Sequence, residues 1–395
     1  MSSRTRRIVI WITAPVIVFA IVGGFLAKVM AGDDAYPALK IFGDVEALIT
    51  SNYVEKVDVD KVMTGAMHGL ADSLDPDSAF LSPDQVKLVE TSAPLPAGDV
   101  GIDLTRQGYL RIIAVRDGSP AARAGLMTGD FVRVIGDKPT REMSVFAGMR
   151  QLRGAVGSKI SLTIIRDSPN DPHVVELTRE AIPSADVSGR IASPGVGYLR
   201  IAAITAKTAD QAKAEAATLA KGGATSLVID VRRTSGGSLD GGIALARLFV
   251  PKGTLTIRET KGANREQTDK ETIEAKAGDG SITMPAVVLV NLGTSSAAEV
   301  FASALAGNNR AELIGEHTIG RAAQQRLIKL PDGSGLWLTV TRYLMPDGKP
   351  LHEHGVEPTV AVDEPEVKFG QTAPPGDPIL DKALEEIATK KKTAA

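Results

Sequence analysis

The spacing of hydrophobic residues changes along this chain, and each change marks a different kind of segment. Residues 8–27 are apolar and carry no charge. From residue 36 the apolar positions Leu39, Phe42, Val45, Leu48 and Ile49 recur at the spacing of one helical face. A second helix is expected near Val59 to Leu70, so 36–92 reads as a helical segment. Within it, Asp-Ser-Leu-Asp-Pro-Asp-Ser-Ala-Phe-Leu-Ser-Pro (72–83) is rich in turn formers, and its acidic residues read as caps and turn makers.

Residues 93–183 read as a small β-rich domain. Val100–Leu104, Tyr109–Val115, Phe131–Ile135 and Lys159–Arg166 are strand-like, and Val145–Leu152 is helical. A short helix through Ser119-Pro120-Ala121-Ala122 is closed by Gly125, as helix ends often are. From 184 to 363 strands and helices alternate. Strands are expected at Val196–Ile201, Leu227–Val231, Ala286–Val290 and Leu336–Tyr343, with helices at Thr208–Lys221, Leu239–Phe249 and Ala297–Ala306. Leu227–Val231 is continuously apolar, as strands covered on both faces are. The alternation predicts a layered α/β core. Residues 364–395 read as a proline-rich link and a helix from Pro378, a solvated tail ending in Lys390-Lys391-Lys392. The fold class is thus mixed α/β.

Composition sharpens this reading. A chain of 395 residues, 43% hydrophobic, has room for two or three domains with real cores. A net charge of −2 gives no electrostatic footprint for nucleic acid. The absence of cysteine excludes disulfides, thiolate metal sites and a cysteine nucleophile. His352 and His354 share a face only in a strand and read as a solvated loop, so no metal is expected and no cofactor is implied. At about 1.5 Å per residue, Ile8–Ala27 just spans a hydrocarbon layer of about 30 Å. Arg4, Arg6 and Arg7 precede it and should stay cytoplasmic. The residues after Met30 are then expected outside the inner membrane, in the periplasm, on a single-pass anchor spanning 1–31. Secretion after cleavage of a leader is the competing reading. Val29-Met30-Ala31 is a poor cleavage site, and the run exceeds the usual apolar region of about 7–15 residues, which favours the anchor. A homo-oligomer is left open.

The most informative stretch is Val-Val-Leu-Val-Asn-Leu-Gly-Thr-Ser-Ser-Ala-Ala-Glu-Val-Phe-Ala (287–302), a buried strand, a tight turn and a helix start with Ser296 at the turn. Gly-Glu-His-Thr-Ile-Gly-Arg-Ala-Ala-Gln-Gln (315–325) follows it. Upstream, Gly236-Gly237 come after Asp230-Val231-Arg232. Together with Tyr53-Val54, Gly69-Leu70 and Leu74-Asp75-Pro76-Asp77-Ser78, these phrases resemble the C-terminal processing peptidases, also called tail-specific proteases. Ser119 to Asp130 resembles the S-P-A-x-x-A-G-L-x-x-G-D phrase of their internal PDZ domain. The resemblance covers about 36–363 and divides it into a helical N-terminal segment, a PDZ-like domain (93–183) and a serine peptidase core (184–363).

By its residues alone, Ser296 reads more readily as a helix cap than as a nucleophile. The resemblance implies the nucleophile, with the N–H of Ala297 and those of Gly236 and Gly237 as oxyanion donors. A plain strand-to-helix turn is the ordinary reading of those glycines. Thr234-Ser235 stands where the family has Asn-Pro. The family's base is a lysine, and that position here holds Arg321, with Gln325 at the family's glutamine and Glu299 expected to orient the base or pair with Arg321. Ile319 and Ala322 are further departures from the family phrase. An arginine stays protonated and cannot take a proton from serine. Losing about 3 kcal/mol of barrier reduction slows a reaction by about 10²-fold. His317, four residues before Arg321, is a candidate substitute base.

A PDZ domain takes an extended chain end as an added strand and holds its carboxylate on backbone N–H groups. Asp99-Val100-Gly101-Ile102 occupies that loop position, with aspartate in place of the family's glycine, and Ile102, Leu104, Phe146 and Met149 would line the apolar pocket. Read as residues alone, they are core. The resemblance implies protein or peptide substrates with free apolar C-termini. Two function classes follow: a membrane-anchored serine endopeptidase cutting extracytoplasmic proteins near their C-termini, or a catalytically silent peptide-binding scaffold.

Overall fold

The computed structural model describes residues 35–91, 94–182, 186–262, 267–372 and 374–394. The expected membrane span lies outside the described residues. Among the described residues no helix is long and apolar enough to cross a membrane. The chain divides into a short unit, Met1–Gly69, and a large one, Leu70–Ala395. The short unit holds α1 (Ala35–Asn52), on which Leu39, Ile41, Val45 and Leu48 are exposed, as is Tyr53 just after it. It also holds most of α2 (Val59–Asp72), whose start is capped by the Asp58 carboxylate on the N–H of Lys61.

The large unit opens with a tight turn at 75–78, then β1 (Ala79–Leu81) and α3 (Pro83–Glu90). Ser82 and Gln85 close a reciprocal capping box at the start of α3. The β-rich domain follows: β2 (Ile102–Gln107), β3 (Tyr109–Val115), α4 (Pro120–Arg123), β4 (Phe131–Ile135), β5 (Lys138–Pro139), α5 (Val145–Leu152), β6 (Lys159–Ile165) and β7 (His173–Thr178). Its antiparallel sheet runs β2-β3-β4-β6-β7, with β5 on β4. Alternate residues such as Leu110, Ile112, Leu162 and Ile164 bury against Leu104 and Leu152 in one core.

The remaining chain supplies β8 (Val187–Ser193), β9 (Val196–Ile201), α6 (Thr208–Lys221), β10 (Ser226–Asp230), α7 (Leu239–Arg247), β11 (Thr254–Lys261), β12 (Thr268–Glu274), β13 (Ala286–Val290), α8 (Ala297–Gly307), β14 (Ala311–Gly315), β15 (Ala323–Lys329), β16 (Gly335–Leu344), β17 (Val360–Ala361) and α9 (Pro378–Ala394). A sheet ordered β17-β14-β13-β10-β9-β8 forms the middle layer, with β9, β10, β13, β14 and β17 parallel. Period-two alternation sends its side chains to both faces. Leu227, Ile229, Val288 and Val290 meet α6, α7 and α8 on one side, and Val228, Val287, Leu289 and Ile314 face the other. α8 is buried nearly all round, which fits a helix between layers. A second sheet, β1-β16-β11-β12 with β15 on β16, completes the core.

The C-terminal segment corrects the expected solvated tail. Ile379, Ala383 and Ile387 of α9 are buried against Val196, Val228, Val287, Leu289 and Ile314, so the helix covers the second face of the middle sheet. Without it those apolar residues would face water. Asp377, just before α9, also pairs with the buried Arg232 at 2.7 Å. Ile379→Ala should therefore lower unfolding stability by about 2–4 kcal/mol, the usual range for such a cavity. Urea titration followed by circular dichroism checks this, and an unchanged midpoint would mean that α9 covers nothing.

Candidate active site

Ser296 sits where β13 turns into α8, and its backbone is held at φ 58° and ψ −116°. A non-glycine residue at positive φ is strained, and such residues persist only when their surroundings fix them. Here the turn is bound on every side. The Asn291 side chain accepts the N–H groups of Arg233 (2.9 Å) and Gly293 (3.1 Å). Thr294 Oγ1 donates to Val231 O at 3.0 Å. Gly293 is required by crowding, since a Cβ there would lie 2.5 Å from Ile113 O.

Glu299, one turn into α8, is fully buried and holds two loops together. Its Oε1 accepts the Thr318 hydroxyl (2.6 Å) and the Gly320 N–H (2.5 Å). Its Oε2 accepts the N–H groups of Arg321 (2.7 Å) and Ser296 (2.9 Å). Burial pushes this carboxyl above its ordinary range, and the four donors pull it back in part. With two donors on each oxygen, every lone-pair direction is taken. Glu299 thus meets the backbone of Arg321, not its guanidinium.

The glycine loop lies across from Ser296. Gly236 and Gly237 adopt φ 70° and 83°. A Cβ at Gly237 would come within 2.3 Å of Ile204 O, while one at Gly236 would meet open space. The loop is tied to the serine turn by the Ser295 N–H on Thr234 O (3.0 Å) and by the Ser295–Ser235 hydroxyl contact (2.8 Å). Ala297 is the first residue of α8, so its N–H has no acceptor within the helix. Ser296, Gly236, Gly237, Arg321, Gln325, Asp77, Asp103, Leu104 and Met149 all line one cavity of about 490 Å³. Gln325 donates to Thr339 Oγ1 at 3.1 Å.

Arg321 is the notable member. Its Nε donates to Asp77 Oδ2 at 3.0 Å, its Nη2 bonds Asp77 Oδ1, and its Nη1 donates to Leu104 O of β2 at 2.7 Å. All three guanidinium nitrogens are engaged, two by the Asp77 carboxylate and one by Leu104 O. The nearby carboxylates raise its affinity for the proton further, against the opposing effect of burial. Asp77 was expected only to cap or turn; that role belongs to Asp75, which accepts the N–H groups of Asp77 and Ser78, both at 2.8 Å. The half-buried Asp103 of β2 also faces this cavity, and burial pushes its carboxyl up to about 6 despite the pull of Arg321. Neither aspartate stands out in the sequence. Asp77 lies in a phrase that carries the family resemblance, but its pairing is invisible there, 244 residues from its partner.

Other expected residues fall outside this cluster. His317 is exposed and lies 3.6 Å from Glu357, away from the cavity lining. His352 corrects the solvated-loop reading: it is buried, and burial lowers its proton affinity. Val100 and Ile102 are interior core of the β-rich domain, whereas Leu104, also core, and Met149, packed against it, line the cavity as well. Phe146 departs from the expected pocket. It lies in a separate cluster with Ala79, Leu81, Leu327 and Trp337, its ring 6.0 Å from that of Trp337, because the face of α5 carrying it turns toward β1 and β16. Gly101 stands at φ 79°, and the loop around it is already occupied. Asp99 Oδ1 accepts the N–H groups of Val100 (2.7 Å) and Gly101 (3.2 Å), and Oδ2 meets Arg153 at 2.9 Å.

Comparisons with known proteins agree with this architecture. Residues 195–362 match the model of peptidase family S41, and residues 111–166 match that of the PDZ domain. The carboxy-terminal-processing protease of Bartonella bacilliformis is 31% identical over 364 residues, covering 88% of this chain and 83% of the relative. The carboxy-terminal processing protease CtpA of Bacillus subtilis is 31% identical, covering 80% of this chain and 67% of the relative. Among solved structures, a photosystem II D1 C-terminal processing protease superposes with a TM-score of 0.67 at 26% identity, covering 82% of this chain and 92% of that one. The expected PDZ domain and layered peptidase core are both present in a mixed α/β fold. With 31% identity across most of both chains, this protein belongs to the carboxy-terminal-processing serine proteases of peptidase family S41.

Proposed function

We propose that this chain captures protein substrates near their C-termini and presents them to Ser296, in a site whose own hydrolytic step is weak or silent. The observation that carries this reading is the strained Ser296 turn beside the Gly236-Gly237 loop, in one cavity with the fully engaged Arg321. In this reading Ser296 Oγ attacks the scissile carbonyl, and the N–H groups of Ala297 and of the glycine loop receive the developing oxyanion. Helix α8 points its N-terminus at that position, where negative charge is favoured. The missing part is an acceptor for the serine proton. Arg321 keeps its proton, Glu299 has no free lone pair, and His317 lies apart, so the geometry favours a site that binds more readily than it cuts. A peptide-binding scaffold is the second reading, supported by the same three engaged nitrogens. Anchoring through Ile8–Ala27, with the PDZ and peptidase domains outside the inner membrane, completes the proposal.

The PDZ domain would receive an extended segment along β2, with a free apolar C-terminus as the favoured ligand. Asp99 already fills two of the N–H groups such a carboxylate would use, so a ligand must displace it.

Two measurements test this reading. A fluorescent decapeptide ending in Leu-Ala-Ala should bind the full chain more tightly as the acid than as the amide, because the charge-assisted bonds need the carboxylate. Equal binding would remove the terminal carboxylate from the recognition. A serine-directed phosphonate should label the native chain slowly, and Ser296→Ala should abolish the label. Labelling that survives Ser296→Ala would assign the nucleophile elsewhere.

A further inference from the structure

We propose that Asp77 is the positioning residue for position 321: it holds a permanent cation there, bonded to its own carboxylate and to Leu104 O, so that a matched pair of residues silences the site. This rests on the reading of Ser296 as nucleophile, and it adds that the arginine is not the only change a working base would have to undo.

Asp77 is aimed by its surroundings. Asp75 fixes the turn by accepting the N–H groups of Asp77 and Ser78 at 2.8 Å and the Ser78 hydroxyl at 2.7 Å. Ser78 Oγ in turn accepts the N–H of Thr339 at 3.2 Å, and the next residue, Ala79, pairs with Trp337 in β16. The carboxylate that results is 8% exposed and meets the planar fork of Arg321 with both oxygens. A buried carboxylate in this place needs a cation, and a guanidinium satisfies it with two parallel bonds.

Burial opposes a positive charge at position 321, and three carboxyl groups around it favour one. Asp77 faces it from the 75–78 turn, Asp103 from β2 and Glu299 from α8. His352 is the titratable group nearby of the opposite kind; burial lowers its proton affinity, so it adds little positive charge. Asp103 is itself drawn first to Arg321 and then to Arg116 and Arg153, while the Asp77 carboxylate bonds Arg321 directly. A lysine placed here would therefore find carboxylates that keep it protonated, which is the wrong state for a base. A neutral amine needs position 77 neutralised as well.

The test compares Arg321→Lys, Asp77→Asn with Arg321→Lys, and Asp77→Glu with Arg321→Lys in the full chain, each checked for folding by circular dichroism. Proteins carrying lysine labelled at the ε-carbon are titrated by NMR, and the signal absent from the native protein reports the introduced amine. Its midpoint should fall by at least about one pH unit, tenfold in proton affinity, when Asp77 becomes Asn, and should stay high with Glu. Hydrolysis of β-casein should appear in the Asp77→Asn double variant at least about tenfold above the Arg321→Lys single variant, rising with pH through the lower midpoint. Equal midpoints with Asp, Asn and Glu, or full activity in the single variant, would overturn the proposal. A shifted midpoint without hydrolysis would leave the pairing standing and refute Ser296 as nucleophile.

Discussion

The carboxylate of Glu299 is the interaction on which the site depends. It lies at 0% exposure and gathers donors from α8's own start and from the 318–321 loop. A buried carboxylate costs several kcal/mol unless its oxygens are fully bonded, and here they are. Each of its bonds fixes backbone or a short side chain, so the position of Ser296 and that of residue 321 are set by one group. The strain at Ser296 is held by this arrangement together with the Asn291 and Thr294 bonds beneath it.

From that clamp the electrostatics of the cavity follow. Position 321 is delivered by its backbone to a pocket already holding Asp77 and Asp103. A guanidinium suits such a place better than an ammonium, because it bonds Asp77 with two nitrogens and still reaches the carbonyl of Leu104 with the third. That third bond runs from the peptidase core to β2 of the PDZ domain. The Ser296 turn is also packed beside this domain, at Gly293 against Ile113 O. The two domains thus meet at the site itself.

Much of this was legible in the sequence, and the failures share a cause. Continuous apolar strands such as Leu227–Val231 and the buried helix from Ala297 announce a layered core through their pattern alone. The serine turn and the Gly236-Gly237 loop were legible through the resemblance to the processing peptidases, since their residues alone read as a helix cap and a plain strand-to-helix turn. What escaped was long-range pairing. Asp77 reads as a turn residue because local chemistry explains it fully, and only the fold brings it to Arg321. Phe146 reads as pocket lining because it lies on α5, yet side-chain direction on that helix sends it to Trp337. The C-terminal helix reads as solvated because its polar face dominates, while its buried stripe of Ile379, Ala383 and Ile387 is narrow. Asp99 was visible as a departure from glycine, but its occupation of the Val100 and Gly101 N–H groups appears only in three dimensions.

The central claim is that one carboxylate sets both halves of the site, and amide hydrogen exchange tests it most directly. Glu299→Gln exchanges one acceptor oxygen for an amino group that faces two donors. The amides that face the new amino group, either Gly320 or the pair Ser296 and Arg321, should then exchange at least about fivefold faster, as losing a buried acceptor worth about 1–3 kcal/mol implies, while those of β10 and β13 keep their native protection. Native protection at all three amides in the folded variant would contradict the account.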